Sequence, residues 1–297
     1  MPKSRELARV PAARTASATV TFIKPASGEG HLAVEVGGRG PAIALIHGWA
    51  VDRRMWVHQL LAFRRHFTTI TYDRRGFGQS TAIADMSLEL ADLDTILDQL
   101  GISRVALLGM SQGGRIAARY ALTRPQRVTA LVLQGAPLDD SVPPTHEPSV
   151  LPIERYAKLL QAGDRETFLQ EISAHPLMNT GPRFAQAQAE IVAMLRDYRG
   201  EDLLQRTAHA REAEPLLAAA LHGITAPTEV VTGSHELLWL SATSDRIARN
   251  IQGARRRVIR GGGHFVNMTH IRYYNLCVLD FLSRATRPWS DRGMESE

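Results

Sequence analysis

The 297 residues carry 35 Lys and Arg against 30 Asp and Glu, a net charge of +5, with 44% hydrophobic and 22% charged residues. That balance excludes a disordered chain and is enough for a large buried core. A single cysteine, Cys277, excludes an internal disulfide framework and a CxxC zinc or redox site, and no apolar run reaches the roughly 18 residues of a membrane helix.

Residues 1–17 place Lys3, Arg5, Arg9 and Arg14 against Glu6 among Ala, Pro, Ser and Thr, which predicts a disordered basic tail without the apolar stretch of a secretory signal. The other arginine pairs are scattered and no aromatics interleave them, so neither nucleic acid nor membrane is an expected partner. Strand-like text covers 18–23 and 31–36, followed by a Gly-rich turn and the apolar run Ala42 to His47. A helix is predicted from Asp52 to Phe67, a strand over 68–73, and a helix that Ser87 caps and Gly101 ends. Next come strand 104–109, helix 112–123 and strand 128–134.

The alternation stops at Pro137. From 137 to 223 the text reads as amphipathic helices, with thirteen Asp and Glu against eight Lys and Arg up to Pro227. Strand 227–232, helix 240–251, strand 257–260 and helix 266–282 follow, with 287–297 as a C-terminal tail. Alternating strands and helices predict an α/β fold, a mostly parallel central sheet flanked by helices. Residues 18–136 and 224–286 would form its core, and 137–223 a helical cap inserted after the sixth strand, over the carboxyl edge where such sheets bind ligands.

Gly109-Met110-Ser111-Gln112-Gly113 falls between a buried strand and a helix. A bend this sharp tolerates little beside it, which suits glycine at both flanks, and it thrusts the Ser111 hydroxyl out at the sheet edge. A serine needs a base within hydrogen-bond reach. His264, after Gly261-Gly262-Gly263 and just past a strand, is the best placed of eleven histidines. His47 and His270 read as structural, and His146, His175, His209 and His222 as residues of the helical segment. The imidazole in turn needs a carboxylate. Glu236 in Gly233-Ser234-His235-Glu236 is one choice, and Asp139 or Asp140 past the preceding strand is the other. Backbone N–H groups of Gln112 and of Trp49, beside Gly48, are the candidate oxyanion donors.

His47-Gly48-Trp49, Tyr72-Asp73-Arg74-Arg75-Gly76-Phe77-Gly78-Gln79-Ser80, Gly109 to Gly114, Gly233 to Glu236 and Gly263-His264-Phe265 occur in one order. Through them the chain resembles the α/β-hydrolase superfamily, in its cap-bearing subset, over residues 20–284. The resemblance implies a serine hydrolase of the carboxylesterase or enol-lactonase type that needs no metal or organic cofactor. Ser at 111 argues against the relatives that use a carboxylate nucleophile, the haloalkane dehalogenases and epoxide hydrolases. Glu236 departs from the Asp of most of the family.

The expected reaction is cleavage of an apolar ester or lactone by a cytoplasmic monomer or homodimer. The same triad also serves carbon–carbon hydrolysis, perhydrolysis or cofactor-free oxygenation, and a non-catalytic ligand-binding relative is a further alternative. Gly48, Met110, Phe265, Tyr156 and Met178 are the candidate substrate-binding residues. Leu151, Leu160, Phe168, Leu177 and Met194 are available to an apolar pocket, although helix packing accounts for most of them.

Overall fold

In a computed structural model, residues 19–141, 150–204 and 215–286 are described. The two predicted tails, His146 and His209 lie outside them. Chain order begins with β1 (Thr19–Ile23), β2 (Leu32–Gly38), β3 (Ala42–Ile46), α1 (Val57–Phe63) and β4 (Thr68–Tyr72). It continues with α2 (Glu89–Gln99), β5 (Val105–Met110), α3 (Gln112–Thr123) and β6 (Val128–Gln134). Then come α4 (Ile153–Gln161), α5 (Arg165–Ala174), α6 (Ala185–Asp197) and α7 (Glu201–Leu204). The last elements are β7 (Thr228–Gly233), α8 (Leu238–Asn250), β8 (Arg255–Ile259), α9 (Val266–Thr269) and α10 (Ile271–Ala285).

The strands form one eight-stranded sheet in the order β1-β2-β4-β3-β5-β6-β7-β8. β2 is antiparallel to both β1 and β4, and every pairing from β4 to β8 is parallel. Parallel strands need covered crossovers, so both faces are buried at the centre of the sheet and β3 and β5 read as continuous apolar runs. Side chains nevertheless alternate between two cores. Ile43, Leu45, Ala106 and Leu108 pack with α1, α10 and the helices between β6 and β7. Ala44, Ile46, Leu107 and Leu131 pack with α2, α3 and α8.

Three predicted helices differ in detail. The Asp52–Phe67 prediction resolves into a 3-10 turn capped by Asp52 and the seven residues of α1. The chain turns back after Phe63 because His66 and Phe67 N–H both donate to the Phe63 carbonyl, which delivers Thr68 to β4. Ser87 is not the cap. α2 begins after Leu88 with no side-chain cap, and Asp85 caps the 3-10 turn before it (Met86–Leu88), its carboxylate accepting the Ser87 N–H at 2.9 Å and the Ser87 hydroxyl at 2.6 Å. The last helix breaks at His270, whose backbone (φ −120°, ψ 43°) leaves the helical region between α9 and α10.

Among the described residues, the chain between β6 and β7 is helical. Charged and polar contacts fasten it to the sheet domain. Arg199 donates to the carbonyls of Gly78 (2.6 Å) and Ser80 (2.8 Å), and Arg54 pairs with Asp197 at 2.7 Å. Trp49 Nε1 donates to Asp202 at 2.8 Å, and the Tyr198 hydroxyl to the same carboxylate at 2.6 Å. No helix of the described residues is long and apolar enough to cross a membrane.

Candidate active site

β5 ends at Met110 and α3 begins at Gln112, leaving Ser111 alone to make the bend, at φ 53° and ψ −122°. A non-glycine residue there is strained by about 1–3 kcal/mol, which the surrounding packing must hold. The packing is tight: a Cβ on Gly109 would lie 2.2 Å from the Gly113 carbonyl oxygen. The Ser111 N–H is anchored to the carbonyl of Gln134, at the end of β6, at 2.7 Å.

Two neighbouring loops at the same sheet edge carry the imidazole and the carboxylate. His264 Nδ1 donates to Glu236 Oε2 at 2.9 Å, with the two side chains only 4% and 1% exposed. Glu236 Oε1 accepts the Leu237 N–H at 3.0 Å, so both carboxylate oxygens are engaged. Gly135, at φ +54°, makes room for the pair. A Cβ there would stand 2.9 Å from His264 Nδ1 and 3.0 Å from Glu236 Oε2.

The alternative acids are committed elsewhere. Asp139 takes a two-pronged contact from Arg115 (2.9 and 2.7 Å), and Asp140 pairs with Arg246 at 2.7 Å. They hold the start of the helical segment. Of the remaining histidines, His47 is buried with Nδ1 bonded to the Gly48 carbonyl (2.8 Å) and Nε2 accepting the Arg74 N–H (2.9 Å). Burial, then the adjacent Arg74 charge, pulls its pKa from 6.5 to about 3, so it is a neutral spacer. His175 closes α5, buried, and His222 is exposed.

The Gly48–Trp49 loop lies beside the serine: a Cβ on Gly48 would be 3.4 Å from Ser111 Cβ and 2.8 Å from Met110 Sδ. Neither the Trp49 nor the Gln112 backbone N–H donates a hydrogen bond among the described residues. Free donors next to a serine are what an oxyanion requires.

A cavity of about 430 Å³ opens between the α5–α6 connection and the loops bearing Glu236 and His264. Phe265 and Leu177 line it, whereas Ser111 does not. Gly48, Met110, Tyr156 and Met178 do not. Tyr156 instead packs at 1% exposure among Trp49, Phe168 and Tyr198, its ring stacked on Trp49 with centroids 6.5 Å apart. Burial pushes its phenol up to about 12. Leu160, Phe168 and Met194 are likewise core residues. Among the described residues no three His, Cys, Asp or Glu side chains gather to hold a metal.

A buried amide network went unread in the sequence. Gln134 Nε2 donates to the His264 carbonyl and to Asn267 Oδ1, each at 2.9 Å. Gln59 Nε2 donates to the Asn267 carbonyl (3.0 Å) and to Asn275 Oδ1 (2.9 Å). Gln59, Gln134 and Asn267 are fully buried. A polar residue in the last position of an apolar strand was the available signal at Gln134; nothing local marks Gln59.

The sheet order, the strained Ser111 bend and the carboxylate–imidazole pair at one edge define the class, a hydrolase of the α/β fold. The alpha/beta hydrolase fold family model matches residues 41–271, and the chain belongs to that family. It is 28% identical over 256 residues to the "Putative carbamate hydrolase RutD" of Pseudomonas savastanoi pv. phaseolicola, covering 83% of this chain and 95% of that protein. Among solved structures, a hydrolase from Pseudomonas aeruginosa superposes with a TM-score of 0.71 at 25% identity, over 89% of this chain and 98% of that one. An esterase from Exiguobacterium antarcticum shares the fold, with a TM-score of 0.74 at 23% identity over 89% and 100% of the two chains.

Proposed function

We propose that this chain hydrolyses a carboxylic ester or lactone through an acyl-enzyme on Ser111. The observation that carries the reading is the buried 2.9 Å hydrogen bond from His264 Nδ1 to Glu236 at the sheet edge where Ser111 makes its strained bend. Engaging Nδ1 leaves Nε2 as the basic nitrogen, able to take the Ser111 proton as the hydroxyl oxygen attacks the carbonyl carbon. The Trp49 and Gln112 N–H groups receive the charge that develops on the carbonyl oxygen. His264 then returns the proton to the departing alkoxide. Water, deprotonated by His264, attacks the acyl carbon and releases Ser111.

A carbamate is the second reading, favoured by the likeness to the relative from Pseudomonas savastanoi pv. phaseolicola that is named a carbamate hydrolase. Its carbonyl would be attacked by the same serine to give a carbamoyl-enzyme in place of the acyl-enzyme, and an aryl carbamate keeps the leaving group of the matched ester. The test is turnover of a p-nitrophenyl ester series and matched aryl carbamates by the wild type and Ser111→Ala, with stoichiometric labelling by a fluorophosphonate. Labelling and turnover that both vanish in Ser111→Ala support the reading. Labelling without turnover of any acyl substrate would leave the oxygen- or peroxide-dependent alternatives, which repeating the panel with those reagents separates.

A further inference from the structure

We propose that Asp202, on the helical segment, is a positioning residue for the oxyanion site: by holding the Trp49 indole it sets the direction of the Trp49 backbone N–H, so that the helical segment completes that site. The inference rests on the hydrolytic reading above and adds a residue to it. Trp49 Nε1 donates to Asp202 Oδ2 at 2.8 Å, and the Tyr198 hydroxyl to Oδ1 at 2.6 Å. Neighbouring carboxylates are spent on arginines, Asp197 on Arg54 and Glu201 on Arg199, whereas both donors that Asp202 holds among the described residues are neutral.

The Gly48–Trp49 peptide is held on its other side by buried groups. No cis peptide bond occurs among the described residues, and in a planar trans peptide a carbonyl and the N–H that follows it point opposite ways. The Gly48 carbonyl accepts from His47 Nδ1 at 2.8 Å and from Arg74 Nη1 at 3.4 Å, both residues being buried. The Trp49 N–H therefore points away from them, in the loop that lies beside Ser111. The next residue is strained. Ala50, 1% exposed, has φ 60°, and it and Ser111 are the only non-glycine residues at positive φ among those described. Alanine stays in the left-handed region only where its surroundings hold it there.

For Trp49 and Ala50 those surroundings include the helical segment. The indole stacks on Tyr156 with centroids 6.5 Å apart, meets Tyr198 edge-on at 5.7 Å and donates to Asp202. Ring contacts leave an indole free to slide and turn in its plane, and a directional hydrogen bond removes that freedom. Without the bond the chain from Gly48 to Ala50 relaxes toward unstrained backbone. A donor turned out of line then stabilises the oxyanion less, while ground-state binding of substrate is unaltered.

Asp202→Ala should lower kcat on a p-nitrophenyl ester about tenfold or more with KM nearly unchanged, short of the roughly 10²–10³ lost when an oxyanion donor is removed outright. An aryl trifluoromethyl ketone, whose adduct with Ser111 carries an oxyanion, should bind more weakly by a similar factor. Asp202→Asn keeps a carbonyl acceptor and should recover part of both. Trp49→Phe keeps a ring but no N–H and should reproduce the loss, and Trp49→Phe with Asp202→Ala should lose little more than either alone, because both break one bond. Asp197→Asn breaks an exposed ion pair of the same segment and should stay within about twofold of the wild type. Rates are taken per active site counted by fluorophosphonate labelling, so partial unfolding lowers the count and leaves kcat and the ketone affinity in place. Unmoved kcat and ketone affinity in Trp49→Phe, or losses that multiply in the double variant, overturn the inference while leaving the hydrolase standing. The rate of fluorophosphonate labelling needs no ester turnover: slower labelling of Asp202→Ala supports the inference even if no ester is hydrolysed, and an unchanged rate overturns it. A wild type that neither labels nor turns over ester removes the hydrolytic reading and the inference with it.

Discussion

The Gln134 side chain donates to the main-chain carbonyl of His264 at 2.9 Å, while the Gln134 carbonyl accepts the Ser111 N–H at 2.7 Å. One residue thereby holds both the strained serine and the histidine loop. Gln134→Leu strands the His264 carbonyl and Asn267 Oδ1 in a buried site, at a cost of about 1–3 kcal/mol. We expect kcat to fall about 10- to 100-fold with KM changed much less, since small displacements of a catalytic pair cost this much. Ester kinetics alongside urea melts check it, and an unchanged kcat would reduce Gln134 to a packing role.

Glu236 and Asp139 separate by which property they move. Glu236→Gln keeps the volume but removes the charge facing His264, so kcat should drop by about 10²–10⁴-fold. Asp139→Asn weakens the Arg115 contact and should lower the melting temperature while leaving the rate within a few-fold. The reverse pattern would move the acid to Asp139.

Gly135 is constrained twice, by φ +54° and by the two side chains a Cβ would meet at 2.9–3.0 Å. Gly135→Ala should destabilise by about 1–3 kcal/mol and also lower kcat more than tenfold, because the group that must shift is the imidazole–carboxylate pair. Thermal melts and single-turnover rates on the same preparation read the two effects.

His47 makes a pH prediction. Folded, it stays neutral down to about pH 3, whereas the unfolded chain takes up a proton near its ordinary 6.5. Between those values the unfolded state binds more protons, so stability is complete above about 6.5 and is lost as pH falls, by about 1.4 kcal/mol per unit. Urea titrations at pH 7 and pH 5 should differ by about 2 kcal/mol more for the wild type than for His47→Gln, which cannot titrate there. Equal slopes would remove His47 from the acid response.

The central strands were readable because they carry their burial in their own residues, as in Ala42 to Ile46, apolar at every position. Ser111 was readable because a strand-to-helix bend between Gly109 and Gly113 admits few sequences. The helix ends were less so. At Asp85 and Ser87 either side chain could cap, and only the fold of the preceding loop gives the carboxylate to the Ser87 N–H. Tyr156 and Met178 had the right apolarity for a pocket, yet apolarity cannot distinguish a wall from a core, and both are buried in packing.

By itself the sequence determined the α/β alternation, the position of the serine bend and a short set of candidate partners, because these follow from local periodicity and backbone sterics. Which carboxylate meets His264 was a tertiary decision, made between loops 28 residues apart by a hydrogen bond that local text does not encode. So was the Gln134–Asn267 network, spanning 133 residues. Each depends on where separate loops come to rest once the sheet and the helices above it are packed, a geometry that the packing of both cores sets.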